Sequence, residues 1–343
     1  MKPGHITYHI GLHKTGTTSI QEFFHTNREF LLRQGMDFPL IGLREKGCPA
    51  HTLVADHARL AGGERNAGLN GKPTPLQRIT ATWTPAASRV LISCEDLYLI
   101  AKLPDPAAAI ARLGGLLPFA SANCVVFIRR PDAHIRSLYG TVVNRGPRVS
   151  DSFQTYLERQ TQALITGTEF TYYRYAENLK PWQAIGDLTI LEYEQGEAVG
   201  QILQMLNLKA ASPTTADETT LNISRPFEVS ILQATANDLL MRDAINEQQH
   251  KAIHRLLVSV DLARLSQLTN VDIHGLFEPQ VVDLRAFRAA FLSANKERFY
   301  AGRIPEAIEL PQLRQPEANH HKALVLHLGC FVLNKRNVIE ALV

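Results

Sequence analysis

The stretch from Ile6 to Phe24, ITYHIGLHKTGTTSIQEFF, constrains this chain more than any other. Ile6, Thr7, Tyr8, His9 and Ile10 alternate and are rich in β-branched and aromatic side chains, which predicts a buried strand ending at Gly11. From Thr17 the apolar residues Ile20, Phe23, Phe24, Phe30 and Leu31 recur at helical spacing, with Gly35 as a C-terminal stop. Between strand and helix lies a glycine- and hydroxyl-rich turn, Gly11-Leu12-His13-Lys14-Thr15-Gly16-Thr17-Thr18. Its amides, with the positive end of the helix dipole, point at whatever anion lies there, so the layout is that of a phosphate cradle.

The spacing nearly matches the nucleoside-triphosphate loop G-x-x-x-x-G-K-[ST], because Gly11, Gly16 and Thr18 fall in register. It departs at the lysine. Position 17 is threonine and the turn's one lysine is Lys14, which moves the cation from the helix start to the crest of the loop. A cation there suits one phosphate with one leaving group attached, and the hydroxyls of Thr17 and Thr18 can hold that phosphate without a metal. The run Lys14-Thr15-Gly16-Thr17-Thr18 after a strand resembles the 5′-phosphosulfate loop of sulfotransferases that use 3′-phosphoadenosine 5′-phosphosulfate (PAPS). The resemblance implies that Lys14 contacts the bridging oxygen and the transferring sulfonate, and that Gly16, Thr17 and Thr18 bind the 5′-phosphate, with Thr15 in the same cofactor loop. The bland alternative is a Gly/Thr turn that caps an ordinary helix.

Two further strands carry chemistry at their ends. Arg89-Val90-Leu91-Ile92-Ser93-Cys94 is a nearly continuous apolar run, the pattern of a central parallel strand, and it ends in Glu95-Asp96. Ligands of open α/β sheets gather at the carboxyl ends of strands, so a carboxylate here projects toward the Lys14 loop. Sulfonyl transfer to an alcohol needs a base for the hydroxyl proton, and Glu95 is the candidate. It can equally be an N-terminal helix acid favoured by the dipole. A glutamate base is found in several glycan sulfotransferases, whereas cytosolic small-molecule members have a histidine, so the resemblance is closer to the glycan group.

The second strand, Asn123 to Ile128, closes in Arg129-Arg130-Pro131, and Ser137 follows eight residues after Arg129 in the next helix. A guanidinium and a hydroxyl so spaced can share one phosphate. They resemble the family's 3′-phosphate site, which completes the set for PAPS and its product adenosine 3′,5′-bisphosphate. Arg130, Arg136 and Arg145 read as a solvated basic face, although Arg145 or Arg148 can also greet an acceptor. His51, at the start of a helix over 50–60, is either a substrate contact of the kind found in glycan-type relatives or an isolated surface histidine.

Composition is that of a globular protein: 343 residues, 45% hydrophobic and 20% charged. The net charge of +3 is too mild to indicate nucleic acid as a partner. Cys48, Cys94, Cys124 and Cys330 lie far apart, and the apolar surroundings of Cys94 and Cys124 predict buried thiols. No signal peptide is legible, and the apolar stretch 323–333 is too short to span a bilayer, so a reducing, cytoplasmic compartment is expected.

The remaining chain reads as alternating elements. Met36 to Leu40 is extended, 61–73 is a Gly/Asn-rich loop, and Thr74-Pro75 starts a helix. Asp105-Pro106 opens a helix ending at Gly114-Gly115, Ser152 caps another, Trp182 belongs to a later helix, and Asp187 to Tyr193 is a strand. At 208–220 the composition shifts to Ala, Ser, Pro and Thr, followed by Asn222-Ile223-Ser224-Arg225 and a helical tail. The expected fold is α/β, a P-loop-like parallel sheet flanked by helices over 1–207, with a mainly helical C-terminal part over 208–343. The family's Arg-Lys-Gly closing loop is absent; Asn222, Ser224 or Arg225 are possible substitutes, or simply cap a helix.

The expected activity is therefore sulfonate transfer from PAPS to an acceptor hydroxyl on a glycan or small molecule, with no metal required and no membrane span. A P-loop kinase or NTPase, or a non-catalytic nucleotide- or glycan-binding module of the same fold, are the rivals.

Overall fold

The computed structural model describes residues 4–43, 48–61, 80, 83–116, 119–145, 149–209, 225–259, 261–314, 325 and 328. The loop beyond Ala61, the helix start at Thr74, Arg148, Asn222, Ser224, Cys330, the side chain of Arg145 and most of 323–333 lie outside them. The strands are β1 (His5–Ile10), β2 (Met36–Asp37), β3 (Arg89–Cys94), β4 (Ser121–Ile128), β5 (Asp187–Glu192), β6 (Phe277–Asp283) and β7 (Ala307–Leu313). The helices in chain order are α1 (Thr17–Thr26), α2 (Arg28–Arg33), α3 (Thr52–Ala61), α4 (Pro106–Leu116), α5 (Pro131–Arg145) and α6 (Phe153–Thr166). They continue as α7 (Tyr175–Leu179), α8 (Ala198–Met205), α9 (Phe227–Met241), α10 (Glu247–Ser259), α11 (Leu262–Thr269) and α12 (Arg285–Ala294).

The chain forms two compact units, one of Met1–Arg130, Gly167–Ile223 and Ala294–Phe299, the other of Pro131–Thr166, Ser224–Ser293 and Tyr300–Val343. This division differs from the boundary that the composition shift at 208 indicates, because α5 and α6 go with the C-terminal helices. The reason is packing. The carboxamide of Asn237 on α9 donates to the carbonyls of Val143 (3.0 Å) and Val149 (2.8 Å), and a Cβ placed on Gly140 of α5 would stand 2.9 Å from Ser230 Oγ on α9.

The first unit is built on an all-parallel sheet of order β2-β3-β1-β4-β5. β1 is central and covered on both faces, so every residue from Ile6 to Ile10 is buried. One face packs on α1 and α8 through Ile20, Phe24, Leu91, Val125, Phe127, Ile202 and Leu203. On the other face the Tyr8 hydroxyl donates to the Leu113 carbonyl of α4 (3.3 Å). Ile10 pairs with Cys94 and Ile128 with Glu192, so β1 and β3 end flush while β4 and β5 run on together.

The structure divides the single helical pattern of 17–33 at Asn27, whose Nδ2 donates back to the Phe23 carbonyl (2.9 Å) and so competes with continuation of the helix. Conversely, α4 runs through Gly114 and Gly115 to Leu116, and a Cβ at either glycine would meet open space. Trp182 lies fully buried in a 3-10 segment, Lys180–Ala184.

The second unit buries Val229, Leu232, Ala236 and Leu239 of α9 against Ile253, Leu256 and Leu257 of α10 and Leu262 and Leu265 of α11. It also contains an antiparallel pair, β6 and β7, which the sequence does not announce. Each strand carries a proline, and Pro279 and Pro311 lie opposite one another. Proline argues against a central strand but is tolerated at a sheet edge, and in a two-stranded sheet both strands are edges. Among the described residues no helix is long and apolar enough to cross a membrane.

Candidate functional site

The turn after β1 is held by its own backbone and by β3. The Gly11 amide donates to the Cys94 carbonyl (3.1 Å), Leu12 is fully buried, and the Thr15 hydroxyl donates to the Leu12 carbonyl (2.5 Å). Thr15 therefore spends its hydroxyl closing the turn. Lys14 adopts a left-handed conformation with φ 67°, uncommon for a side chain of its size, and Gly16 does the same with φ 74°. These two reversals bring the chain into α1 with Lys14 at the crest.

Among the described residues no side chain caps the N-terminus of α1: Gly16 supplies no acceptor, and the first turn holds no acid. The first helical bond runs from the Ile20 amide to the Gly16 carbonyl (3.1 Å), so the amides of Thr17, Thr18 and Ser19 have no carbonyl within the helix. Such an end favours an anion.

Glu95 adjoins this turn at close range. A Cβ on Gly11 would lie 2.6 Å from Glu95 Cα and 2.6 Å from Thr17 Cγ2, so glycine at position 11 is what lets the carboxylate-bearing backbone approach the loop. Glu95 and Asp96 are partly exposed and open a 3-10 segment, Glu95–Lys102. Asp96 Oδ1 lies 3.9 Å from His13 Nε2, and the His13 ring meets Tyr172 edge to face (5.8 Å).

Arg129 arrives from the end of β4. Its Nη1 donates to the Lys14 carbonyl (3.1 Å), its guanidinium lies over the Tyr193 ring (5.4 Å), and its own carbonyl accepts from the Tyr175 hydroxyl (2.9 Å). β1 and β4 are neighbours whose following segments diverge, α1 toward β2 and β3 and the chain after β4 toward β5. The Lys14 loop and Arg129 thus flank the topological switch point, where ligands of open α/β sheets bind.

Lys14, Gly16, Thr17, Thr18, Glu95 and Arg129 accordingly share the first unit. Ser137 belongs to the second, on α5, with its Oγ shielded from solvent and without a hydrogen-bond partner among the described residues. Arg136 is exposed and lies over the Phe227 ring (5.7 Å), in keeping with a solvated basic face.

Both readings of His51 are corrected. It is fully buried, its Nε2 donates to the Pro39 carbonyl (3.0 Å) and its Nδ1 accepts from the Ser93 amide (3.2 Å), so it ties the start of α3 to β3. His9 is equally buried, with Nδ1 on Ser93 Oγ (2.8 Å), an oxygen that also accepts from Gln21 (3.2 Å). Burial depresses both imidazoles, His9 to about 3 and His51 to about 4. Between pH 6.5 and 4 the unfolded chain therefore takes up protons that the folded chain refuses, so stability is complete above 6.5 and falls as the solution is acidified. Each histidine contributes a slope of roughly 1.4 kcal/mol per pH unit in that window. Denaturant midpoints measured at pH 7 and pH 5 should show the loss, and His51→Gln should reduce it while leaving the share that His9 contributes.

Cys94 and Cys124 are buried free thiols as expected, the first pushed well up by burial and the second to about 12. Cys48, also a thiol, donates to Gln21 Oε1 (2.9 Å) on α1. Among the described residues no group of three or more His, Cys, Asp or Glu could hold a metal ion.

Sequence reasoning overlooked Tyr193, Tyr175 and the His13–Asp96 contact. Tyr193 was open to the rule that selected Glu95 and Arg129, since it directly follows a strand end; its amide bonds the Ile128 carbonyl (2.7 Å). Fold and loop define the class as a parallel α/β protein with a strand, a tight turn and an uncapped helix at the switch point. No family model matches the chain, and no curated protein matches it.

Proposed function

We propose that the protein is a PAPS-dependent sulfotransferase acting on an acceptor hydroxyl, most simply that of a carbohydrate. The observation that carries this reading is the convergence of three strand ends on one turn: Lys14 at its crest, Glu95 against Gly11, and Arg129 on the Lys14 carbonyl. The amides of Gly16, Thr17 and Thr18 would receive the 5′-phosphate and the Lys14 amine the bridging oxygen and sulfonate. The acceptor oxygen attacks sulfur, the bond from sulfur to the 5′-phosphate oxygen breaks, and the hydroxyl proton passes to Glu95. The products are a sulfate ester and adenosine 3′,5′-bisphosphate. Arg129 would bind the 3′-phosphate; the partnership with Ser137 rests on the sequence pattern.

A Mg²⁺-dependent kinase or NTPase is the first rival, and Thr17 stands where its phosphate-binding lysine belongs. Adenosine 3′,5′-bisphosphate in EDTA is expected to raise the melting temperature while ATP does not; at 100 times Kd the stabilisation is about 2.7 kcal/mol. Stabilisation by ATP alone, and only with Mg²⁺, would overturn the proposal. A purely binding module of this fold would respond to the bisphosphate yet transfer no sulfonate, and Glu95→Gln would leave it unaltered.

A further inference from the structure

Arg129 is engaged in a way that a simple phosphate ligand is not. One guanidinium N–H is given to the carbonyl of Lys14 (3.1 Å), the residue whose left-handed backbone sets the crest of the loop. The guanidinium carbon lies over the Tyr193 ring (5.4 Å), within the range of a cation–π contact. The same Tyr193 presses on Gly16, where a Cβ would come within 2.9 Å of its ring and of Ala198 Cβ. Tyr193 is in turn fixed by the hydrogen bond its backbone N–H donates to the Ile128 carbonyl (2.7 Å), and the Tyr175 hydroxyl donates to the Arg129 carbonyl (2.9 Å).

From these contacts we infer that Arg129 and Tyr193 are positioning residues that hold the Lys14 loop in its anion-ready shape. The left-handed Lys14 is disfavoured on its own, and structure around it must hold it there. A charge-assisted bond to its carbonyl from one side and an aromatic ring against Gly16 from the other provide that hold. Arg129 then serves the 5′ end of a bound nucleotide through the loop, whatever it does at the 3′ end. This inference rests on the nucleotide reading for its ligand assay alone; the brace itself is visible without any ligand.

Two measurements test it. In the ligand-free protein, amide exchange of the 11–20 segment is expected to quicken in Arg129→Lys and in Tyr193→Leu, and to return to the wild-type rate in Tyr193→Phe, which keeps the ring. Unchanged exchange in both the lysine and leucine variants would overturn the brace, and this readout stands even if no nucleotide binds. In calorimetric titrations, Arg129→Lys is expected to weaken adenosine 5′-phosphate, which has no 3′-phosphate, by roughly tenfold, the value of about one charged hydrogen bond. Loss confined to adenosine 3′,5′-bisphosphate, with adenosine 5′-phosphate unaffected, would make Arg129 a 3′-phosphate ligand only. Failure of wild type to bind either nucleotide would instead sink the sulfotransferase reading while leaving the exchange result to judge the brace.

Discussion

Lys14→Ala is expected to lower turnover roughly 10²- to 10³-fold, the effect of removing one preorganised donor from a developing anion, about 2.7–4 kcal/mol. The amine has this leverage because its backbone is fixed before substrate arrives: φ is 67°, the carbonyl is held by Arg129, and the turn is closed by the Thr15 hydroxyl. In the proposed reaction a cation so fixed would lose little to reorganisation as charge moves to the departing phosphate. Lys251, exposed on α10 beside Glu247, provides the comparison, and Lys251→Ala should leave turnover within a factor of two. Lys14→Gly separates chemistry from folding, since glycine accepts the left-handed conformation that lysine adopts under strain. It should be as inactive as the alanine variant while unfolding at equal or higher denaturant. Equal activity of Lys14→Ala and Lys251→Ala in a sulfonate-transfer assay would remove Lys14 from its role.

Gly11→Ala is the second substitution with a large expected effect. The added methyl would sit 2.6 Å from Glu95 Cα and 2.6 Å from Thr17 Cγ2, and one of these contacts is backbone that cannot rotate aside. Overpacking of this kind destabilises by about 1–3 kcal/mol. The displacement falls on Glu95, the proposed base, and on the first residue of α1 together, and a shift of about 1 Å in a reacting group can lower the rate about 10²-fold. Gly114→Ala on α4 meets nothing and removes a helix-interior glycine, so it should stabilise by about 0.5–1 kcal/mol. Denaturant titration of the two variants checks the opposite signs, and a Gly11→Ala protein of wild-type stability and activity would show that Glu95 does not stand where the geometry puts it.

Much of the first unit was legible because its signals are local. β3 and the second half of β4 read as nearly continuous apolar runs, as strands buried on both faces do, and β1 was legible from its alternating β-branched and aromatic side chains. The strand, turn and helix around Lys14 were legible because an alternating run gives way to glycines and then to apolar residues at helical spacing. What escaped notice depends on partners distant in sequence. His51 looks exposed until Pro39 and Ser93 close around it, and nothing near position 51 signals that. The bond from Arg129 to the Lys14 carbonyl joins residues 115 apart, and no local pattern announces it. The grouping of α5 and α6 with the C-terminal helices rests on contacts between residues far apart in sequence, among them the Asn237 carboxamide on two upstream carbonyls and the Phe227 ring against Tyr139 and Phe153. β6 and β7 were hidden by their prolines, which only the two-edged sheet makes harmless.

The central claim is that the uncapped end of α1 and the Lys14 amine receive the 5′-phosphate of an adenosine bisphosphate. A crystal structure with adenosine 3′,5′-bisphosphate, grown in EDTA, tests it most directly. The account predicts the 5′-phosphate within hydrogen-bond reach of the Thr17 and Thr18 amides and of Lys14 Nζ. A bisphosphate bound elsewhere on the protein, with this turn holding only solvent, would contradict it.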